Sequence, residues 1–430
     1  MNDWDNDNVD NQYLGFEAFK SGDLIDLDKD GQVKIIKELG CGGRTIVYLC
    51  EYNQKQYALK WFTQELPEVF YQNLKSNHQN GVPNASKSFL WPLMLTKKQN
   101  NTFGYVMDLR DPEYREFGDY LLGRAKYQSV SAIVNAAINL TKGFQDLSKD
   151  NYVYADINDG CLYIHPVTGG VIFADTEIIH KNNINLGMMG KIRYMAPEIL
   201  LGSRPDHFSN HFSLSVVLFL FFFNSHPLEG QKTLVPCMTE NHEKKFFATE
   251  ALFIFDENDH SNQPVEGIHT NVIKRWPHYP SLLRNIFIQA FSQEAIKNPS
   301  QRVTPEQWLQ ILVEVRNRLV EDDNGNERFL ADDEKPKVAL KSIEGLIALA
   351  AEKIVYVGHS TLPFARVFRD NYEPDAWVLK NISNHSWKVE TVSGKIKDVP
   401  PNELMPVKAG LKISCAVIGE FEVLALNELV

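Results

Sequence analysis

Cysteine is scarce and unpatterned in this chain. The five residues Cys41, Cys50, Cys161, Cys237 and Cys415 include no CxxC pair and no regular spacing. A disulfide framework is therefore not expected, and a reducing, cytoplasmic setting is. Long hydrophobic runs are missing too. The most apolar run, "LSVVLFLFFF" at 214–223, is too short to cross a bilayer and reads as a buried core helix. Positive charge is in deficit: 44 Lys and Arg face 55 Asp and Glu, a net charge of -11. That argues against a general nucleic-acid or anionic-membrane binder. No internal repeat is evident. The opening "MNDWDNDNVDNQ" is acidic and polar, unlike a secretory signal.

At 430 residues, with 43% hydrophobic residues, the chain is long enough for two or three domains with real cores. Residues 1–32 form an acidic N-terminal segment. Within it, "DLDKDGQVKII" places Asp26, Asp28, Asp30 and Gly31 like the start of a calcium loop. The twelfth position, where such a loop needs a bidentate Glu, is Lys37, so a turn into a strand is expected. From 33 to about 110 the chain reads mainly as strands, interrupted by a helix at about 63–78. Helical spacing takes over at 129, where Ile133, Ala136, Ala137 and Leu140 recur on one face. Two short strands follow, and most of 196–320 then reads as helix. Thr304, Pro305 and Gln307 form a capping-box start for the last one. The acidic stretch "VEDDNGNERFLADDEKPK" contains an expected linker, 321–337. Residues 338–430 read as a small, mostly β domain, although "GLIALAAEKIVYVGHS" has spacing that suits helix or strand.

Three motifs carry chemistry. In "LGCGGRTIVYL", Gly40 and Gly42 make G-x-G and Val47 sits where G-x-G-x-x-G-x-V has its valine; Gly43 lies in the same turn, and Thr45 replaces the third glycine. Such a hairpin lets the backbone close over phosphates. Twenty residues on, "YALK" offers Ala58 and Lys60, matching the strand lysine that holds α- and β-phosphates. In "YADINDGCLYIHPVTGGVIFADTE", Asp156 takes the catalytic-base position of H-R-D-x-x-x-x-N. Asp175 takes the metal-binding position of D-F-G. "GKIRYMAPEIL" then supplies Ala196, Pro197 and Glu198 of A-P-E.

In this order and spacing the motifs resemble a protein kinase over 33–320. "FLWPLML", "HPLEG", "LFIFDENDHSNQP" and "NPSQRVTPEQW" look like a bacterial Ser/Thr kinase-like group. That group occurs in tellurium-resistance-associated modules, beside metal-dependent protein phosphatases and von Willebrand-type proteins. The resemblance implies an α+β, bilobal fold with a β-rich N-lobe and a helical C-lobe. ATP, with Mg2+ or possible Mn2+, is the implied cofactor and a protein the implied substrate. Met107, Asp108 and Arg110 become the segment that meets adenine. Glu198 becomes the partner of Arg302, bracing the helical lobe.

Four residues depart from the pattern. Cys161 stands where a metal-binding Asn is expected, and a thiol is a poor ligand for a hard cation. Asp175 keeps one metal position, with Glu177 or Asp159 as substitute carboxylates. Cys161 otherwise reads as a small buried residue, or as a redox-sensing thiol, a role also open to Cys41. Asn158 removes a cation that usually assists the γ-phosphate, and Lys191 is the candidate to restore it. Thr176 and Glu177 replace Phe-Gly after Asp175. Ala155 removes the Arg that would bind an activation-loop phosphate, and residues 178–193 contain no Ser, Thr or Tyr. Activity independent of activation-loop phosphorylation is therefore expected. The helix glutamate that should pair with Lys60 is open among Glu65 and Glu68, while Gln72 has the better spacing.

The C-terminal 338–430, especially from 376, resembles the second half of a forkhead-associated β-sandwich. "LKNISNHSW" would be a loop and "PVKAGLKISC" a late hairpin; Trp377 and Trp387 would be core. The family's Gly-Arg pair and Ser-x-x-His are not evident. A docking or structural domain and a phosphopeptide reader both remain open. For the whole chain the expectation is a Ser/Thr protein kinase; the alternative is a pseudokinase scaffold acting through the β domain.

Overall fold

A computed structural model of the chain describes residues 17–29, 31–80, 88–182, 184, 186–187, 190–321, 326–350, 352–370 and 376–425. The first dozen residues lie outside the described residues, as do Asp30 and part of 178–193. The chain divides into two compact units, Met1–Pro112 with Ile172–Met189, and Glu113–Val171 with Gly190–Val430.

The first unit is built on an antiparallel six-stranded sheet. Its order is Leu24–Asp26, Gln32–Cys41, Thr45–Tyr52, Lys55–Phe62, Gly104–Met107, Met94–Leu95. Period-2 alternation divides the side chains between its faces. Ile46, Tyr48, Cys50, Leu59, Trp61 and Val106 pack into one core. The sheet starts earlier than the sequence suggested, because Ile25 and Leu27 are apolar pegs for that core. Leu27 N–H donates to Gly31 O, giving the expected turn. The helix expected at 63–78 runs Glu68–Asn80.

In the second unit, Ser129 caps the helix Val130–Lys149 by accepting from Ala132 N–H. That helix packs on Pro305–Asn317, whose start is the expected capping box of Thr304 and Gln307. The expected core helix runs His207–Phe223 and is buried from Ser209 onward. Asp206 caps its start and Asn224, at φ 47°, ends it in the left-handed region. Among the described residues no helix is long and apolar enough to cross a membrane.

The C-terminal region forms two β-sheets around one core. One has six strands in the order Gly345–Leu349, Val338–Ser342, Gly419–Ala425, Lys412–Cys415, Trp387–Glu390, Ile396–Val399. The other has four, Ile354–Val355, Ala365–Arg369, Trp377–Asn381 and Leu404–Pro406. Leu340, Ile413 and Val423 from the first meet Val367, Leu379 and Met405 from the second. Trp387 is fully buried and Trp377 packs at the core edge, as expected. The segment open to helix or strand is strand. The late hairpin is corrected: Leu404–Pro406 and Lys412–Cys415 belong to different sheets, and Lys412–Cys415 pairs with Gly419–Ala425 instead.

The stretch expected as a linker includes paired strands. Leu319–Glu321 pairs with Glu327–Phe329, and Val320 and Leu330 are buried with Ala348 and Ala350. Arg316 ties the sandwich to the helices. Its guanidinium donates to Asn135 Oδ1 and to the Gly358 and Ser360 carbonyls, and lies 5.0 Å from the Tyr356 ring centre. Lys353 donates to Asn317 O at the end of the same helix.

Candidate functional site

In the first unit the site begins with sheet register. Val47 lies opposite Lys60, and Lys60 opposite Tyr105; Ala58 lies opposite Met107. Directly opposed residues share a face. These five therefore line the face away from the Ile46–Tyr48–Trp61 core. The Gly-rich hairpin closes through Gly42 N–H to Thr45 O at 2.7 Å. A Cβ at Gly40 or Gly43 would meet nothing within 4 Å, so the space beside the turn is open. Asp108 and Arg110 are exposed after Met107, and Asp108 pairs with Lys55 at 3.4 Å.

Lys60 is 6% exposed, and a buried ammonium needs compensating charge. Its Nζ donates to Asp175 Oδ1 at 2.5 Å and to Glu177 Oε1 at 2.6 Å. Burial pulls its pKa down, but Glu177, Tyr105 and Asp175 outweigh that and raise it well above the usual lysine value. Asp175 holds a left-handed backbone, φ 51° and ψ 38°, unusual for a non-glycine residue and typical of functional sites. The adjoining Thr176 is locked by donating to Leu90 O at 2.7 Å. Asp175 is 42% exposed at its side chain, whereas Glu177 is 5% exposed. Tyr105 Oη donates to Glu177 Oε2 at 2.7 Å, so both oxygens of Glu177 are engaged. Glu177, expected as a metal ligand, thus lies buried against a lysine and a tyrosine. Glu68 is exposed and paired with Lys98 at 2.8 Å, and Gln72 donates to Glu68.

In the second unit the loop carrying Asp156 is folded on itself. Asn158 Nδ2 donates to Asp156 O and Oδ1, and Gly160 N–H donates to Asn158 Oδ1. Cys161 is buried, with its thiol donating to Asp156 O at 3.3 Å. Lys191 touches the loop twice. Its N–H donates to Asp156 Oδ1 at 2.9 Å and its Nζ to Asp159 Oδ1 at 2.8 Å. Partial burial lowers the Lys191 pKa, and Asp159 more than reverses it, leaving it raised. Asp159, the other substitute metal ligand, is thus held by a lysine. Glu198 and Arg302 form the expected brace, with two bonds of 2.7 and 2.6 Å to a guanidinium that is 1% exposed.

Among the described residues no three His, Cys, Asp or Glu side chains cluster to hold a metal. Magnesium at phosphoryl-transfer sites needs only one or two carboxylates plus the phosphates, so a partly exposed Asp175 fits that chemistry. Sequence reasoning missed the Lys60–Glu177–Tyr105 contact. Its one signal was that Glu68 is the sole acid in Glu68–Asn80.

Over 198 residues the chain is 21% identical to the serine/threonine-protein kinase STY17 of Arabidopsis thaliana. The match covers 44% of this chain, which spans about a third of that relative's length (33%). No protein-family model matches. Among solved structures, a double mutant of the PknI kinase domain of Mycobacterium tuberculosis aligns at TM-score 0.48 and 15% identity, covering 70% of this chain and 100% of that one. A single mutant of the same domain aligns at 0.46 and 14%, covering 70% and 99%. The similarity to Ser/Thr kinases is distant.

Proposed function

We propose that the chain is an ATP-dependent protein kinase acting on Ser or Thr of a protein substrate. The observation that carries the reading is the buried Lys60 paired to a half-exposed Asp175. A charged lysine and an acid in strained backbone, set on the face shared by Val47, Ala58 and Met107, suit a nucleotide's phosphates. In this reading Gly40, Gly42 and Gly43 lie over the phosphates, and Met107 to Arg110 meet the adenine. Lys60 neutralises charge on the α- and β-phosphates. Asp156 orients the substrate hydroxyl and takes its proton, with Lys191 N–H fixing the carboxylate. Asp175 would hold magnesium, which supplies charge neutralisation at the transferring phosphoryl group. Catalysis of this kind is mainly positioning and electrostatics, so a lost ligand slows it without ending it.

Residues 33–320 would be the catalytic domain, and 338–430 a docking domain of forkhead-associated type, whose phosphopeptide site is part of the proposal. The resemblance supplies a metal-dependent protein phosphatase and a von Willebrand-type protein as partners, and the scattered cysteines suit a cytoplasmic setting. A pseudokinase is the second reading. It is favoured by Cys161 and by Asn158, which folds back onto Asp156 rather than offering a cation.

ATP labelled at the γ- or the α-phosphate separates the readings. Protein label from γ, lost in Asp156→Ala and Asp175→Ala, supports the kinase. Label from α overturns it in favour of nucleotidyl transfer. Absence of label with nucleotide-dependent thermal stabilisation supports the pseudokinase.

A further inference from the structure

We infer that Glu177 is the residue that positions Lys60, in the role a helix-borne glutamate has elsewhere; the inference rests on the kinase reading above. Three observations converge on it. First, the helix has no acid to offer. Glu68 is its sole carboxylate, lies at the exposed first turn and is taken by Lys98 and Gln72. Second, the helix presents amides instead. Asn73 and Asn77 are buried and both donate to Ile179 O, at 2.9 and 2.7 Å. An amide donor cannot balance an ammonium, but it can clamp a backbone carbonyl. The helix therefore holds the segment that carries the carboxylate. Third, the Glu177 carboxylate is saturated by Lys60 on one oxygen and Tyr105 on the other, and Tyr105 lies opposite Lys60 in the sheet.

Two acids hold Lys60, and their exposures separate their tasks. Asp175, 42% exposed at its side chain, is the one able to turn to an incoming ion. Glu177, at 5%, stays behind. Lys60 then keeps one buried counter-charge throughout, which holds it aimed. The positioning carboxylate and the metal-binding acid are two residues apart on one strained turn. A single local backbone state sets both, and no helix rotation is needed to deliver the glutamate. This agrees with the lack of any Ser, Thr or Tyr across 178–193.

The test is a double-mutant cycle on the full chain. Titration calorimetry with magnesium and a non-hydrolysable ATP analogue gives affinity, and γ-phosphate transfer gives kcat and KM for ATP. Glu177→Gln should weaken nucleotide binding about tenfold or more and raise KM accordingly. In a Lys60→Met background the same substitution should change affinity no further, because Glu177 acts through Lys60. Glu68→Gln should leave both readouts unchanged. If Glu177→Gln folds poorly, Tyr105→Phe keeps the charges and should raise KM severalfold. The inference is overturned if the two substitutions add independently, or if Glu68→Gln weakens binding while Glu177→Gln and Tyr105→Phe do not. A natural chain that binds no nucleotide overturns the kinase reading and this inference together.

Discussion

The backbone N–H of Lys191 donates to Oδ1 of Asp156 at 2.9 Å, across 35 residues of sequence. The residue before it must be glycine for this to happen. A Cβ on Gly190 would stand 2.7 Å from that same oxygen. The clash falls on the end of a flexible side chain, so stability should change little. Gly190→Ala should leave the melting temperature nearly unchanged and lower kcat by about a hundredfold, since small misplacements of a reacting group cost that much. Thermal melts beside steady-state kinetics check it.

The Lys191 ammonium is the candidate cation for the γ-phosphate. Its half-exposed pair with Asp159 adds little stability, because exposed ion pairs contribute at most about 1 kcal/mol. A loss on Lys191→Ala therefore reads as function. The rate of γ-phosphate transfer should fall by about a hundredfold, the scale for one electrostatic donor. Unchanged transfer in Lys191→Ala, with Asp156→Ala inactive, would remove Lys191 from the mechanism.

Cys161 can be tested by restoring the amide. Glu177 is buried with both oxygens engaged and Asp159 is paired with Lys191, so a restored amide should add a ligand. Cys161→Asn should raise kcat and lower the magnesium concentration that gives half-maximal rate. A magnesium titration of both proteins measures it. Equal curves would mean a substitute ligand is already in place.

Stability should fall in mild acid through His211. It is 6% exposed, and neither ring nitrogen has a hydrogen-bond partner. Burial first, then nearby His207, lower its pKa to about 4. Between about pH 6.5 and 4 the unfolded chain takes up a proton that the folded chain refuses. Stability is therefore whole above 6.5 and lost as pH falls towards 4, by up to about 3 kcal/mol. His211→Phe should flatten the melting temperature across that window. The slope is the readout, since the absolute stability of the variant also reflects repacking.

Much of the fold was legible from local pattern. Thr304 and Gln307 cap their helix as their spacing requires, and Glu198 meets Arg302 as the kinase resemblance implied. What was not legible depended on distant partners. Glu177 reads from the sequence as a substitute metal carboxylate, beside Asp159. Its true neighbours, Lys60 and Tyr105, are 117 and 72 residues away. The polar stretch at 321–337 was read as a linker from its charge. Its Asn-Gly dipeptide is itself a hairpin signal, and the flanking Val320 and Leu330 are buried. No local signal marks Arg316, which is buried between the helices and the β-sandwich.

Intact-mass and peptide mass spectrometry tests the central claim most directly. The purified chain is incubated with magnesium, ATP and a generic protein substrate, beside Asp156→Ala and Asp175→Ala. The expected result is phosphate-sized additions on Ser or Thr with the natural chain and none with either variant. AMP-sized additions, or phosphorylation that persists without Asp156, would contradict it.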